Sequence, residues 1–335
     1  MKLHLEYIWL DGNMPQQIRS KTKIIDSHVG NDIKLKDIPE WNFDGSSTNQ
    51  ADTSKSDLIL KPVSVFPDPF KQFQGLLVLC EVFDLDGKPH KSNTRNAMVE
   101  TVKQKDQETW YGWEQEYFIY SQETDRPLGW SGLFNRPKKP QGEFYCSNGS
   151  NNAFGRTIAE AHIGLCEKAG INISGINAEV APGQWEYQIG PVKAIEGADQ
   201  LWIARYLMNR LAEHYNMYIV LHPKPYIGNE WNGSGMHVNF STKEMRKKKS
   251  MDIIETACKK LSNRVKEHID VYGIDNHLRL TGENETSSIN EFKYGIADRT
   301  ASIRIASSFS YLEDRRPASN ADPYQIVKVL LETIC

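Results

Sequence analysis

The sequence predicts an α+β protein in two unequal domains, and three observations lead there. The first 92 or so residues hold strand-like segments broken by prolines and no strong helical pattern. From Asn93 onward, segments with apolar residues at helical spacing alternate with segments whose polar side chains recur at every second position. The later strands are short, separated by helices, and each places polar residues on one face, as in an antiparallel sheet with one working face. A chain of 335 residues is long enough for two such units.

In order along the chain, "LHLEYIWL" alternates, "KTKIID" and "LLVLCEVFD" follow, and Pro62, Pro67 and Pro69 interrupt anything helical. "DLDGKPHKSN", Asp84 to Asn93, reads as a turn and a boundary, which gives domains of residues 1–92 and 93–335. Asn93 or Thr94 supplies the N-cap of a helix in "SNTRNAMVETVKQKDQ". The aromatic and β-branched residues of "TWYGWEQEYFIYS", Thr109 to Ser121, predict a strand. Ile158, Ala161, Leu165, Cys166 and Ala169 fall at helical spacing before Gly170, a natural stop. Strands follow in "INISGINAEV" and "QWEYQIG". Long helices run through "GADQLWIARYLMNRLAEHYN" and "MDIIETACKKLSNRVKEHIDVYG". Between and after these, "YIVLHP", "GMHVNFS" and "ASIRIASS" read as strands. No internal repeat or low-complexity tract interrupts this order.

Composition narrows the function classes. Hydrophobic residues at 39% and charged residues at 25% are ordinary for a globular protein. A net charge of −3 gives no electrostatic case for nucleic acid or an anionic membrane as partner. The one basic run, Arg246 to Lys249, reads as a solvated turn. Five scattered cysteines without a CxxC pair suit free thiols in a reducing compartment. "MKLHLEYIWLDG" carries polar residues too often for a signal peptide, and no run of ~18 apolar residues occurs. A cytoplasmic protein is the expectation.

The chemistry lies in carboxylates on strands. Residues two apart on a strand share a face, so Glu114 and Glu116 in "GWEQEY" project side by side. Glu179 ends one later strand and Glu186 lies in the next, with Trp185 and Tyr187 on its opposite face. One such glutamate is ordinarily a solvated side chain, and a lone histidine is ordinarily a hydrogen-bonded core residue. Together with His237 in "GMHVNF" and Glu313 in "SYLEDRRP", however, the set comprises five acids and one imidazole. Five ionised carboxylates cannot share a site unaided. An oxygen-rich set with a single imidazole suits Mg²⁺ or Mn²⁺ better than structural zinc.

A second set is basic. Arg279, Arg299, Arg304, Arg315 and Arg316 lie within forty residues, among the segments that supply Glu285 and Glu313. Arginine forks match phosphate and carboxylate oxygens, so this group beside paired metals points to a nucleoside triphosphate and an acidic substrate. For Arg316 a surface salt bridge is the expected role. No GxxxxGK[ST] loop is present, so phosphate binding must rest on metals and arginines. "NGSG", Asn232 to Gly235, permits close backbone approach.

"YIWLDG", "WNFDGSST", "EQEY", "NAEVAPGQWEYQIGP", "WNGSGMHVNFS", "NETSSINEF", "ASIRI" and "EDRRPASNADPY" together resemble glutamine synthetase of the compact type common in eukaryotes, in family order over nearly the whole chain. The resemblance implies a small β-grasp domain followed by a catalytic domain in which helices surround a partly open antiparallel β-barrel. It also implies a decamer of two stacked five-membered rings with active sites between subunits. The implied reaction joins ammonia to L-glutamate at the expense of ATP, through γ-glutamyl phosphate. A γ-glutamyl ligase for a larger amine and a non-enzymatic structural homologue are the alternatives. The first should lose the ammonium cage and the second its metal ligands, and the sequence retains both.

Carried over by position, Glu116, Glu179 and Glu186 resemble the ligands of a metal near the glutamate and ammonium sites. Glu114, His237 and Glu313 resemble those of a second metal on the ATP phosphates, so at least two ions per site are implied. Asp44 matches the aspartate that binds ammonium and takes its proton, and Glu285 the glutamate on the flap. Asn232, Gly233, Arg279 and Arg315 match glutamate-binding positions. Arg299 and Arg304 match phosphate-binding ones, and Asn239, Ser241 and Tyr311 match nucleotide contacts. Asn284 stands where members of the family carry histidine, and the chain starts close to "YIWLDG", without their helical N-terminal extension.

Overall fold

The computed structural model describes residues 1–28, 32–71, 74–130, 141–225 and 231–335. Five strands come first: β1 (Lys2–Leu10), β2 (Ile18–Asp26), β3 (Trp41–Asp44), β4 (Asp57–Pro67) and β5 (Gly75–Phe83). They join in the order β2-β1-β5-β4-β3, with β1 and β5 parallel and the other pairings antiparallel. Period-two alternation sorts β1 between two cores. Leu3, Leu5, Tyr7 and Trp9 join Leu58, Leu60 and Val78 on one face. Ile8 joins Leu77 and Leu79 on the other, in a core continuous with the rest of the chain. Burial on both faces is why β5 reads as an almost unbroken apolar run.

Helix α1 (Thr94–Lys105) opens the second part, with Asn93 as N-cap: its side chain accepts from Asn96 N at 3.0 Å. Next come β6 (Trp110–Ser121), β7 (Arg126–Pro127), α2 (Arg156–Lys168), β8 (Ile173–Ala178), β9 (Gln184–Lys193) and α3 (Ala194–His214). They are followed by β10 (Met217–Val220), β11 (Met236–Ser241), α4 (Lys243–Lys248), α5 (Met251–Ser262) and α6 (Val265–Ile269). Last are β12 (Tyr294–Ile296), β13 (Ile303–Ile305), β14 (Leu312–Asp314) and α7 (Pro323–Ile334). The nine strands form one sheet, β12-β13-β14-β11-β6-β9-β8, with β7 and β10 on the far end of β6. Only β12 and β13 pair in parallel. Its two edges, β12 and β8, do not pair with each other, which leaves a partly open barrel of the α+β class expected from the sequence.

Strand β6 runs through the middle of this sheet and divides it. Its odd-numbered side chains Trp113 and Tyr117, with Trp185 and Tyr187 of β9, enter the core under α2 and α3. Helix α3 is buried along most of its length, with Asp199, Gln200 and Arg205 among its buried side chains. The even-numbered side chains Glu114 and Glu116 are left on the opposite face. Arg95 of α1 braces the layers, bonding Glu81 of β5 at 2.7 Å and Asp199 of α3 at 2.8 Å.

Three expectations need correction. The long helix expected over 251–273 is two, because at Asn263 and Arg264 the main chain switches to i→i−3 bonds. Arg264 there also reaches Thr333 of α7 at 3.2 Å, a tertiary tie that overrides helical continuity. The basic run, read as a solvated turn, is solvent-exposed at Lys247 to Lys249 but helical: Arg246 to Lys248 form the last turn of α4, whose N-cap is Thr242. Arg316 is not a surface residue: it is 1% exposed and bonds Asp314 at 2.6 and 2.8 Å beneath β14. All five cysteines are free, and no helix among the described residues is long and apolar enough to cross a membrane.

Candidate active site

Strand register brings the acids together. Glu116 stands directly opposite Glu186 across β6 and β9, and Glu114 opposite His237 across β6 and β11. Glu313 of β14 pairs with Asn239 on one side and Arg304 on the other. Glu179 follows the last residue of β8 and accepts from Asn177 at 2.8 Å. Like charges directly opposite in a sheet are destabilising, so this arrangement is costly unless something neutralises it. Glu114, His237 and Glu313 each offer a ligand atom, all within 4.8 Å of one another. His237 Nδ1 is the atom turned inward, 3.5 Å from Glu114 and 3.4 Å from Glu313.

Burial, and then the neighbouring carboxylates, push Glu179 up to about 8 and Glu186 up to about 9. Glu116 is raised as well, because its burial outweighs the attraction of Arg279. Burial and the nearby Arg315 hold His237 well below its ordinary range, as the neutral imidazole a metal requires. Carboxylates whose ionisation is held back by burial and crowding, around one neutral imidazole, form a donor set that fits hard divalent cations. Amide donors fix one oxygen of three of these carboxylates: Gln184 and the Gly235 N–H to Glu116 at 3.3 and 2.7 Å, Asn239 to Glu114 at 2.7 Å, and Gln188 to Glu186.

Two adjoining cavities lie on this face. The polar one, about 540 Å³, is lined by all six carboxylate and imidazole residues and by Asn232, Gly233, Arg279 and Arg315. Glu285, Arg299 and Arg304 complete its rim. The second, about 390 Å³, is lined by Trp110, Gly112 and Phe240 together with Asn239, Ser241 and Tyr311. Glu114 and Gln188 line both, so the cavities meet at one metal-type ligand. Even-numbered residues of β6 therefore read in order from the apolar cavity to the polar one: Trp110, Gly112, Glu114, Glu116.

The arginines are held by specific partners. Arg304 and Arg315 bond the two oxygens of Glu313 at 2.8 and 2.7 Å. Arg279 is buried against the Asn232–Gly235 loop and donates to Arg315 O and His237 Nε2, both at 3.0 Å. Glycine is required there: a Cβ on Gly233 would sit 2.6 Å from Arg279 Cγ, and one on Gly235 2.4 Å from Arg279 Nη2. Asn284 and Glu285 occupy the tip of a tight hairpin at φ 52° and 60°, closed by Thr286 N to Glu283 O at 3.2 Å. Asparagine tolerates that left-handed backbone better than most residues.

Asp44 is the exception. It lies outside both cavities, exposed at the end of the edge strand β3. Ser46 N, Ser46 Oγ and Ser47 Oγ donate to it at 3.0, 2.6 and 2.7 Å and hold its carboxyl down to about 2. The sequence reading also missed residues. Gln184 and Gln188 share a face of β9 with Glu186, and Trp110 shares one with Glu114, so strand parity would have found all three. Arg246, read as part of a charge run, stacks 4.3 Å over Trp110 and lines the apolar cavity.

Residues 3–85 match the family model for the β-grasp domain of glutamine synthetase, and residues 91–280 the model for its catalytic domain. The chain belongs to the glutamine synthetase family. A glutamine synthetase of Tuber borchii is 50% identical over 337 residues, covering 98% of this chain and 91% of its own length. One from Yarrowia lipolytica is 48% identical over 337 residues, covering 98% and 90%. A chloroplastic glutamine synthetase of Chlamydomonas reinhardtii is 48% identical over 345 residues, with the same coverage. These matches extend past residue 280, where the catalytic-domain model stops, into the stretch that supplies Glu285, Glu313 and Arg315.

Proposed function

We propose that the protein is a glutamine synthetase, an ATP-dependent ligase that makes L-glutamine, ADP and phosphate from L-glutamate and ammonia. The observation that carries this reading is the meeting of the two cavities at Glu114. An apolar pocket suited to a nucleobase opens there onto an acid-rich, arginine-rimmed pocket suited to phosphates, cations and an amino acid.

The residues divide the work as follows. Glu116, Glu179 and Glu186 would hold one Mg²⁺ or Mn²⁺, and Glu114, His237 and Glu313 another. Bound there, such ions would neutralise the carboxylates and the triphosphate charge. The base of ATP enters between Trp110, Tyr311, Asn239 and Ser241, and Arg299 and Arg304 take its phosphates. Arg279 and Arg315, with Asn232 and Gly233, hold glutamate so that a γ-carboxylate oxygen faces the γ-phosphorus. That oxygen attacks, ADP leaves, and the carboxylate has become an acyl phosphate with phosphate as its leaving group. The enzyme's contribution is positioning and fixed charge.

Ammonium must lose a proton before its nitrogen can attack. Asp44 is held ionised, so its first task is attraction of the cation, and it accepts the proton when the Ser46 and Ser47 bonds give way. Its place on an exposed edge strand favours delivery into a neighbouring subunit's site, in the stacked five-membered rings expected of a decamer. Glu285, on its hairpin, completes the ammonium cage and keeps water from the acyl phosphate. A domain boundary at residues 92 and 93 and a cytoplasmic location belong to the same reading.

The test is product formation with a panel of amines under Mg²⁺ and ATP. Glutamine from ammonium, at a rate far above γ-glutamyl amides from methylamine or larger amines, supports the reading. Preference for a larger amine, or no amide at all, overturns it.

A further inference from the structure

Behind the metal-type face lies a buried cation that the reaction does not use. Arg205 of α3 is 3% exposed, and its acceptors are all neutral. Its Nε and Nη2 fork onto Gln115 Oε1 at 2.9 and 2.7 Å. Nη2 also donates to the main-chain oxygens of Ser319 and Ala321 at 2.9 and 3.0 Å and lies 3.1 Å from Met236 Sδ. The guanidinium sits 4.6 Å over the ring of Trp202, and burial pulls it down to about 10. Gln115, itself fully buried, passes the linkage on by donating to Glu116 O at 2.8 Å and Ser319 O at 3.1 Å.

The contacts to Gln115, Met236 and Ser319 fall close to residues of the site. Gln115 lies between Glu114 and Glu116, and Met236 immediately precedes His237; these two anchors are register partners across β6 and β11. Ser319 follows Arg315 by four residues, and its N–H reaches Ser234 O in the glycine loop at 3.1 Å. Because side chains alternate across a strand, the anchors point away from the site while their neighbours point into it. A buried charge whose hydrogen-bond acceptors are all neutral, with only the Coulombic pull of buried Asp322 beside it, is a poor source of net stability. What an apolar side chain could not do is fix three main-chain segments in mutual register.

We infer that Arg205 and Gln115 form a positioning clamp for divalent-cation binding, setting the spacing between Glu114, Glu116 and His237 from the far side of the sheet. This rests on the metal reading of those residues given above. Ligand spacing must hold to a few tenths of an ångström for a hard cation, and partners outside the ligand set are worth roughly 10- to 100-fold in metal affinity.

The experiment measures Mn²⁺ binding to the full-length protein without substrates, by the loss of the free-ion electron paramagnetic resonance signal, beside thermal unfolding of the metal-free form. Arg205→Met and Gln115→Leu should each weaken Mn²⁺ binding about tenfold at a temperature where the metal-free variant is still fully folded, although each lowers the Tm by leaving buried partners unpaired. The double variant should bind no worse than the weaker single one, because both changes break one linkage. Where Arg205→Met does not fold, Arg205→Lys takes its place; it keeps the charge but loses the fork, and the same loss is expected. Unchanged Mn²⁺ affinity, losses that multiply in the double variant, or weakened binding seen only at temperatures where the variant is already unfolding, would overturn the clamp. Failure of the unaltered protein to bind Mn²⁺ would instead overturn the metal reading beneath it.

Discussion

Loading the site with cation should expel protons, and the number follows from the carboxylates. With Glu179 raised to about 8 and Glu186 to about 9, the metal-free site at pH 7 holds roughly two protons that an ordinary glutamate pair would have lost. A cation needs both as carboxylates, so about two protons per site should leave at pH 7 and about one at pH 8.5. The sign for stability follows from the same shifts. At these two groups the folded chain binds more protons than the unfolded one between the ordinary glutamate value of 4.5 and about 9. The stability that these two carboxyls contribute to the metal-free protein is therefore fully present below that window and lost as pH rises through it. Titration calorimetry with Mg²⁺, in buffers of different ionisation enthalpy, gives the proton count as a slope. Glu186→Gln should lower the count at pH 7 by about one. A slope near zero at pH 7 would refute the reasoning, since it would mean that the carboxylates are already ionised without a cation.

Glu186→Ala and His237→Ala remove ligands from different ions, and each should cost at least ~10²-fold in glutamine synthesis; near-normal turnover in either would break the metal assignment. Glu285→Ala should reduce glutamine formation more than glutamate-dependent ADP release, measured side by side, because the lid acts after phosphoryl transfer; equal losses would contradict that order. Asp44→Ala and Glu186→Ala should each be inactive alone. Mixed before assembly in equal amounts, they should regain roughly a quarter of wild-type activity, since a whole site needs an intact partner on both sides with probability of about one half each. Verified mixed rings that stay inactive would sink the shared-site reading.

Much of this site was legible in the sequence because strands betray their faces. Glu114 and Glu116 two apart, and Glu186 between Trp185 and Tyr187, mark which side faces a core. Register was not legible: nothing in "QWEYQIG" says that Glu186 stands opposite Glu116 rather than two residues along. Tertiary contacts also decided what local pattern could not. Arg316 is spelled like its neighbour Arg315, yet alternation sends it beneath β14 to Asp314. The run from Arg246 to Lys249 looked like solvated charge, and only the fold lays Arg246 over Trp110. The helix break at Asn263 has no proline or glycine to announce it. Asp44, singled out in "FDGSS", lies outside both cavities of its own chain, and no local pattern in the sequence shows that.

The central claim is that a glutamate oxygen is phosphorylated before nitrogen arrives, and one isotope experiment reads it directly. Glutamate carrying ¹⁸O in its γ-carboxylate is turned over with ATP, ammonium and Mg²⁺, and the released phosphate is analysed by mass spectrometry. Attack on the γ-phosphorus and departure of phosphate from the acyl carbon must carry one labelled oxygen into each phosphate formed, in step with each glutamine. Phosphate free of label while glutamine accumulates would contradict the account, because ATP would then be hydrolysed without ever activating the carboxylate.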